Sequence, residues 1–192
     1  MVIAVFSIGV LAVLKMITYN IAAADTIRLK TTASFLAKES MSLAFNMRDS
    51  NRLAWLEWDC VPNVEYNWVS KLDVCRDSLI SGQQSTTAWM FWATPTAFID
   101  IHKLSLLSGF DAKFEQARLA LFTGTSEFPV MYYWTWDAGT PTYFARYVVF
   151  TGLVESGIAI SRDQLVKVES HVLYKKWTMQ WEVVLESFIW NY

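Results

Sequence analysis

The residues best suited to covalent or metal chemistry are two cysteines, Cys60 and Cys75, which lie in one polar stretch of the sequence. No histidine stands near them, and two thiols alone make a poor zinc site. Two interpretations remain for the pair: unpaired thiols, or a disulfide that closes a short loop in an oxidising compartment. The apolar N-terminus of the chain indicates a membrane segment, which favours the disulfide.

The sequence nominates no catalytic centre. The two histidines, His102 and His171, each fall in a strand-like run, where an exposed or hydrogen-bonded side chain is the expected role. The motifs of serine hydrolases, phosphate-binding loops and zinc proteases are absent. Asp137-Ala-Gly139 could belong to a calcium loop, although a hairpin turn is the better interpretation. We therefore predict a protein that is not an enzyme and that carries no metal or cofactor.

Lys15 is the only charged residue among the first 24. A buried ammonium is costly without a partner, so the position of this lysine needs an explanation. In one interpretation it marks the surface of a membrane. In the other it is a cation inside an assembly of helices. It then pairs with an acidic group of a neighbouring copy, either Asp25 or an acid that precedes Met1.

Residues 1–24 have the composition of a segment that spans a membrane or lies in a core of helices. The uncharged run 1–14 is short, because crossing the hydrocarbon layer takes about 20 apolar residues. Either residues 16–24 complete the span while Lys15 extends to the interface, or further residues precede Met1. A secretory signal peptide fits less well, since no basic segment precedes the apolar run.

Residues 25–52 continue this segment as an amphipathic helix, and no Pro interrupts residues 1–52. Apolar or small side chains recur at alternating spacings of four and three from residue 29 to residue 47, which is the period of one helix face. We predict that this face packs the helix against its own domain. The predicted packing residues are Leu29, Ala33, Leu36, Leu43 and Met47, with Ser40 in the same row.

Residues 53–85 are predicted to be an irregular region that contains both cysteines and one short helix within 68–81. The pattern changes to strands over residues 86–192, and short connections predict an antiparallel meander with one solvent-exposed face. The fold class is therefore α+β, with one long helix packed on an antiparallel head. The predicted strands are 86–93, 97–107, 118–122, 130–136, 143–155, 165–174 and 181–190.

Composition limits the partners of the chain. Its 192 residues are 54% hydrophobic and 18% charged, and the net charge of −2 creates no general attraction for nucleic acid. Most of the ten tryptophans lie in the segments 55–68, 89–92 and 132–136. Alternation along strands places about half of these aromatic side chains inward, and the others are available for contacts between subunits. Adhesion is a weaker alternative, and stacking on single-stranded DNA is weaker still because no basic groove is evident.

The N-terminus resembles the hydrophobic stretch of type IV pilins and pseudopilins over residues 1–14 (MVIAVFSIGVLAVL). Residues 34–51 (SFLAKESMSLAFNMRDSN) are similar to the helix end of pilin-like proteins common in bacteria of the candidate phyla. Residues 181–192 (WEVVLESFIWNY) resemble the last strand of those proteins. The first match is fairly specific, whereas the head resembles the family only in outline.

The resemblance implies a pilin-like fold and a structural subunit of an extracellular filament on the cell surface, with adhesion, motility or DNA uptake as its use. It further implies that the chain waits in the cytoplasmic (inner) membrane, is handled by the pilus assembly machinery, and polymerises with copies of itself. Alternatives are a minor pseudopilin of a type II secretion-like system, a membrane-anchored extracytoplasmic binding protein and, third, an anchored enzyme. The implied filament-core residues are Val2, Val5, Phe6, Gly9, Val13 and Lys15.

Two departures from the family bear on this expectation. The processing site and the acidic residue that precede the apolar run in the family are absent, and Met1 fits the place just after that acid. The family often has a proline partway along the helix, whereas residues 15–19 have none. Gly9 is then the weakest point of the helix, since a glycine costs roughly 1 kcal/mol relative to alanine. We therefore predict local unwinding near Gly9 on assembly.

Overall fold

A computed structural model of the chain describes residues 2–62, 75–80, 85–93, 99–105, 108–122, 131–134, 140–155, 158–160 and 165–190. This part of the chain forms a long N-terminal helix, a short second helix and eleven strands. The helices are α1 (Val2–Leu53) and α2 (Phe110–Gln116). The strands are β1 (Cys60–Pro62), β2 (Cys75–Ser78), β3 (Thr86–Ala93), β4 (Ile99–Leu104), β5 (Arg118–Phe122), β6 (Met131–Trp134), β7 (Thr140–Gly152), β8 (Val154–Glu155), β9 (Ile158–Ala159), β10 (Leu165–Lys176) and β11 (Met179–Trp190).

Helix α1 is one continuous helix of 52 residues, about 78 Å long at 1.5 Å per residue. No Pro breaks its backbone hydrogen bonds, and Gly9 is its only glycine. The helix ends where the Asn51 side-chain amide donates to the carbonyls of Trp58, at 3.1 Å, and Cys60, at 2.7 Å. Trp55 then adopts a positive φ of 58°, which takes the chain out of the helical path.

Strand β7 lies at the centre of a seven-stranded antiparallel sheet. One edge pairs with β10, which pairs with β11 in turn. The other edge is shared, because β5 pairs with the first half of β7 and β3 with the second. The predicted meander is correct where the consecutive predicted strands 143–155 and 165–174 pair, as β7 with β10. It is wrong where β7 pairs with β3 and β5, which do not adjoin it in the chain. Residues 144–150 of β7 are buried without a break, and a strand buried on both faces belongs inside a sheet.

The C-terminal half of α1 packs on one face of this sheet and contacts β3, β7, β10 and β11. Small side chains line the contact, since Ala33, Ala37 and Ala44 are at most 1% exposed. Ser40 adds a buried hydrogen bond, with 2.5 Å between its Oγ and the Oγ of Ser170 on β10. The apolar core of the head therefore lies between α1 and the sheet.

Helix α2 covers part of the opposite face of the sheet. Alternate residues of a strand face opposite ways, so Lys175 points away from α1 whereas Ser170 points toward it. The Nζ of Lys175 lies 2.6 Å from Oδ1 of Asp111 on α2, and Phe114 of α2 is buried. The face predicted to be solvent-exposed is thus partly covered. The sequence did not reveal α2, because seven residues with one buried side chain show no apolar period.

The region 53–85 contains a short antiparallel strand pair, β1 with β2. The Cys60–Cys75 disulfide joins these two strands, with 5.2 Å between the Cα atoms. The short helix predicted within 68–81 is wrong over Cys75–Ser78, which form β2, while residues 68–74 and 81 lie outside the described residues. The carbonyl of buried Leu79 accepts a 2.9 Å hydrogen bond from Nε1 of Trp89. This bond ties the disulfide-linked pair to β3.

Candidate functional site

Residues 6–24 of α1, called here the exposed segment, extend beyond the head with every side chain exposed. The segment is about 28 Å long at 1.5 Å per residue, close to the roughly 30 Å of a bilayer's hydrocarbon layer. A helix that is apolar on all sides needs cover on all sides, whereas a helix on a protein surface needs only one apolar stripe. Its large apolar side chains are Phe6, Ile8, Val10, Leu11, Val13, Leu14, Met16, Ile17, Tyr19 and Ile21.

Within the described residues, one helix is long and apolar enough to cross a membrane. The mean hydropathy of its most apolar stretch is 1.6, and none of that stretch is buried. The length, composition and exposure of this N-terminal helix indicate membrane association or a signal sequence.

Gly9 lies in regular helix within the exposed segment. Apart from its two chain neighbours and the backbone of the adjoining helix turns, nothing lies within 4 Å of the position that a Cβ would take on Gly9. Phe6, Val10 and Val13 surround the gap that the missing side chain leaves, and small residues let neighbouring helices approach closely. The helix of the single chain is therefore intact at Gly9, and unwinding on assembly stays a prediction. The side chains of Val2 and Val5 lie outside the described residues.

Lys15 is fully within the exposed segment and has no ion-pair partner among the described residues. Its carbonyl accepts a 2.9 Å hydrogen bond from Oγ1 of Thr18, which leaves the ammonium uninvolved. Met16–Ile21 continue the apolar surface beyond it. The lysine therefore places one positive charge in the middle of an otherwise uncharged surface.

Asp25 is the first residue of α1 that is tied to the head. Its carboxylate forms an ion pair with Lys176 at the end of β10, and the side chain of Asp25 is still 46% exposed. The hydrogen bond to Asp25 raises the pKa of Lys176. The Nζ of Lys176 also lies 5.8 Å from the ring centroid of Tyr143. The end of the β10–β11 hairpin thus marks the boundary between the exposed segment and the packed half of α1.

The helix face predicted to pack on the head lies against it in the structure. Ala33, Leu36 and Met47 are buried, and Leu29 and Leu43 are partly buried against the same core. Three further residues share this contact but fall outside the predicted row. They are Ala37, Met41 and Ala44. These apolar residues lie beside the predicted row and widen its stripe, and that pattern could have identified them from the sequence.

A buried arginine joins α1 to the central strand. Arg146 of β7 is 1% exposed, and its Nη1 lies 2.8 Å from Oε2 of Glu39 on α1. Burial lowers the pKa of Arg146, and the neighbouring Glu39 carboxylate opposes that shift. The sequence did not predict this pair, because an arginine within an apolar strand carries no sign of the helix residue that it meets.

Each histidine lies within a strand of the sheet, as its strand-like surroundings in the sequence predicted. Nδ1 of His171 lies 2.7 Å from Oε1 of Glu182, and its ring stacks on Tyr147 with 4.8 Å between centroids. Burial, followed by the charges of Glu182 and Glu169, raises the pKa of Tyr147. His102 is half-buried on β4. His171, Glu182 and Tyr147 thus lie together on the face of the sheet opposite α1.

No metal centre is present in the described ranges, where no three His, Cys, Asp or Glu side chains are grouped to hold an ion. The calcium-loop alternative at Asp137 lies outside the described residues. Of the tryptophan-rich segments, Trp89 and Trp58 are in the core and Trp55 is 97% exposed. The exposed segment is therefore the strongest candidate for a functional surface.

Comparison of the chain with protein-family models, with curated proteins and with solved structures finds no match in any of the three. The arrangement of a long N-terminal helix on an antiparallel sheet is compatible with a pilin-like layout. The evidence for a function therefore comes from the exposed segment and from its junction with the head.

Proposed function

We propose that this chain is a structural subunit of an extracellular, type IV pilus-like filament and is held in the cytoplasmic membrane before it polymerises. One observation carries the proposal. The same continuous helix is exposed and apolar on all sides over residues 6–24 and packs into the head beyond Asp25. Lipid can cover the first part before assembly, and helices of other copies can cover it afterwards.

The apolar surface favours assembly with identical copies over a permanent anchor. In water the exposed segment would lose roughly 25 cal/mol for each Å² of apolar surface left uncovered. A bundle of parallel copies covers it without lipid. A contact between two different surfaces of the same subunit generates a helical fibre when its geometry does not close into a ring. The heads would form the outer layer of that fibre, and the Cys60–Cys75 disulfide suits an oxidising exterior.

Sedimentation after detergent removal tests the proposal. Purified full-length chain is transferred to detergent-free buffer, centrifuged and imaged by electron microscopy. We expect pelleted filaments of uniform width with the heads outside. A membrane-anchored binding protein that works alone would instead need detergent to stay dispersed and would form no regular filaments. A minor pseudopilin would be incorporated only when a separate major subunit is supplied.

Val13→Asp is expected to reduce both membrane association and filament formation. A charged aspartate near the middle of a membrane-spanning helix costs about 2.5–3.5 kcal/mol, which corresponds to a loss of roughly 100-fold in membrane partitioning. Val13 is exposed and does not pack on the head, so the unfolding temperature of the head should not change. Vesicle co-flotation and filament pelleting measure the two losses.

Ser42→Asp is the matched control for this substitution. Ser42 is exposed on the same helix but lies in the half that packs on the head. Flotation and pelleting of the control should equal those of the wild type. Equal losses in both variants would contradict a special role for the exposed segment.

Gly9→Ala tests the predicted unwinding. The added methyl group meets no side chain beyond those of the adjacent residues, and it should stabilise the helix by roughly 1 kcal/mol. If assembly needs local unwinding there, filament yield should fall while vesicle co-flotation stays unchanged. Unchanged yield, or continuous helical density through residue 9 in a filament map, would rule the unwinding out.

A further inference from the structure

We infer that Lys15 of one copy pairs with Asp25 of the next copy, and that this pair sets an axial offset of about 15 Å between neighbouring subunits. The inference rests on the proposed filament function and specifies its register. It starts from a charge without a counter-charge: Lys15 has no ion-pair partner among the described residues, and residues 1–24 contain no acid.

A packed bundle of exposed segments would bury this ammonium. Burying it without an anion is strongly unfavourable, and every copy contributes the same lysine. Within this sequence, the acids along α1 that could supply the anion lie beyond residue 24. Asp25 and Glu39 are the first two acidic residues along α1.

Asp25 of the same chain is too far away to serve. Ten residues of helix separate the two side chains by about 15 Å along the axis and by about 80° around it. A neighbouring parallel copy that is shifted by this distance brings its Asp25 level with Lys15. Copies that enter from one membrane in one orientation are parallel.

The offset also decides between Asp25 and Glu39. Pairing Lys15 with Asp25 leaves about half of the roughly 28 Å exposed segments of the two copies side by side. Pairing with Glu39 would need an offset of about 36 Å, at which the two exposed segments no longer overlap. Glu39 is moreover held by buried Arg146 at 2.8 Å. Of these two acids, only Asp25 neutralises the lysine while keeping the apolar surfaces in contact.

Asp25 can accept a second ammonium. Its side chain is 46% exposed although it already pairs with Lys176, and a carboxylate offers about four acceptor positions. Lys176 in turn has the Tyr143 ring nearby as further support. The 80° between Lys15 and Asp25 places donor and acceptor on different faces of the helix, so the contact is heterologous. Because each contact also shifts the next copy by about 15 Å along the axis, the contacts cannot close into a ring and instead propagate.

A charge-reversal cycle tests the pair. Filament mass after detergent removal is compared for the wild type, Lys15→Asp, Asp25→Lys and the double variant. Each single reversal should lower the filament mass by at least about tenfold, and the double variant should recover to within about threefold of the wild type. Lys176→Gln removes only the pair within the chain and should stay within about twofold of the wild type.

Cross-linking gives a second measurement that tolerates imperfect folding of the reversed variants. Copies with Lys15→Cys are mixed with copies with Asp25→Cys, assembled and oxidised. A covalent dimer should form in the pelleted filaments but not in detergent, and a mixture of Lys15→Cys with Lys38→Cys should form none.

The outcomes separate the register from the filament itself. If the wild type forms no filaments, the proposed function and the register both fail. If the wild type forms filaments, but the double variant shows no recovery and no specific dimer appears, the register is wrong and the filament function stands.

Discussion

Glu39→Gln is expected to lower the free energy of unfolding by about 2–3 kcal/mol. The substitution removes the carboxylate that lies 2.8 Å from the guanidinium of Arg146, which is 1% exposed. Breaking one side of a buried ion pair costs about 3–5 kcal/mol, and we expect less here because the Glu39 side chain is 48% exposed and screened by solvent. Denaturant unfolding of the full chain in detergent, followed by tryptophan fluorescence, measures the loss.

Glu115→Gln supplies the control for Glu39→Gln. Glu115 pairs with Arg118 at 3.5 Å, but both side chains are exposed by more than a third. A pair of this kind contributes at most about 1 kcal/mol. If the two substitutions cost the same, burial of Arg146 contributes nothing specific to the attachment of α1.

Replacing Cys60 and Cys75 together by Ser should lower the free energy of unfolding by about 3 kcal/mol. The disulfide joins residues 15 apart in sequence, and closing a loop of that length restricts the unfolded chain by about that amount. For a chain of this size the change corresponds to a fall of roughly 6–12 °C in the unfolding temperature.

The same proteins under reducing conditions provide the comparison for the disulfide. Reductant should lower the unfolding temperature of the wild type toward that of the double serine variant and leave the variant unchanged. A wild type that is indifferent to reductant, at a temperature where the disulfide is fully reduced, would show that the cross-link does not stabilise the head.

Much of the fold could be predicted from local pattern. Strands β3 and β5 have the predicted bounds, and the β10–β11 hairpin is longer than predicted by a few residues at its turn. These strands show alternating or continuous apolar runs between turn residues, which is the signal that a strand carries in its own sequence. The helix face from Leu29 to Met47 was predictable for the same reason, because its period is local.

The order of the strands could not be predicted in the same way. Pairing of β7 with β3 joins segments far apart in sequence, and this partner does not change the local pattern of β7. The Glu39–Arg146 pair is a contact of the same long-range kind. The pattern of a single sequence predicts which face of a helix or strand is apolar, but not which of these faces pack against each other.

The candidate site was more predictable than the head. Residues 6–24 are apolar, and one small head is too short to cover their side chains, so their exposure was expected. What the sequence could not supply was the junction. The Asp25–Lys176 pair sets where the helix leaves the head, and the two residues come from opposite ends of the chain.

The uninterrupted course of α1 has a mechanical consequence. In the proposed filament, a pull on the head of a subunit would be transmitted along one continuous helix that has no proline kink. Tension would reach the sheet as shear along the helix contact, where the Ser40–Ser170 bond and the Glu39–Arg146 pair resist sliding.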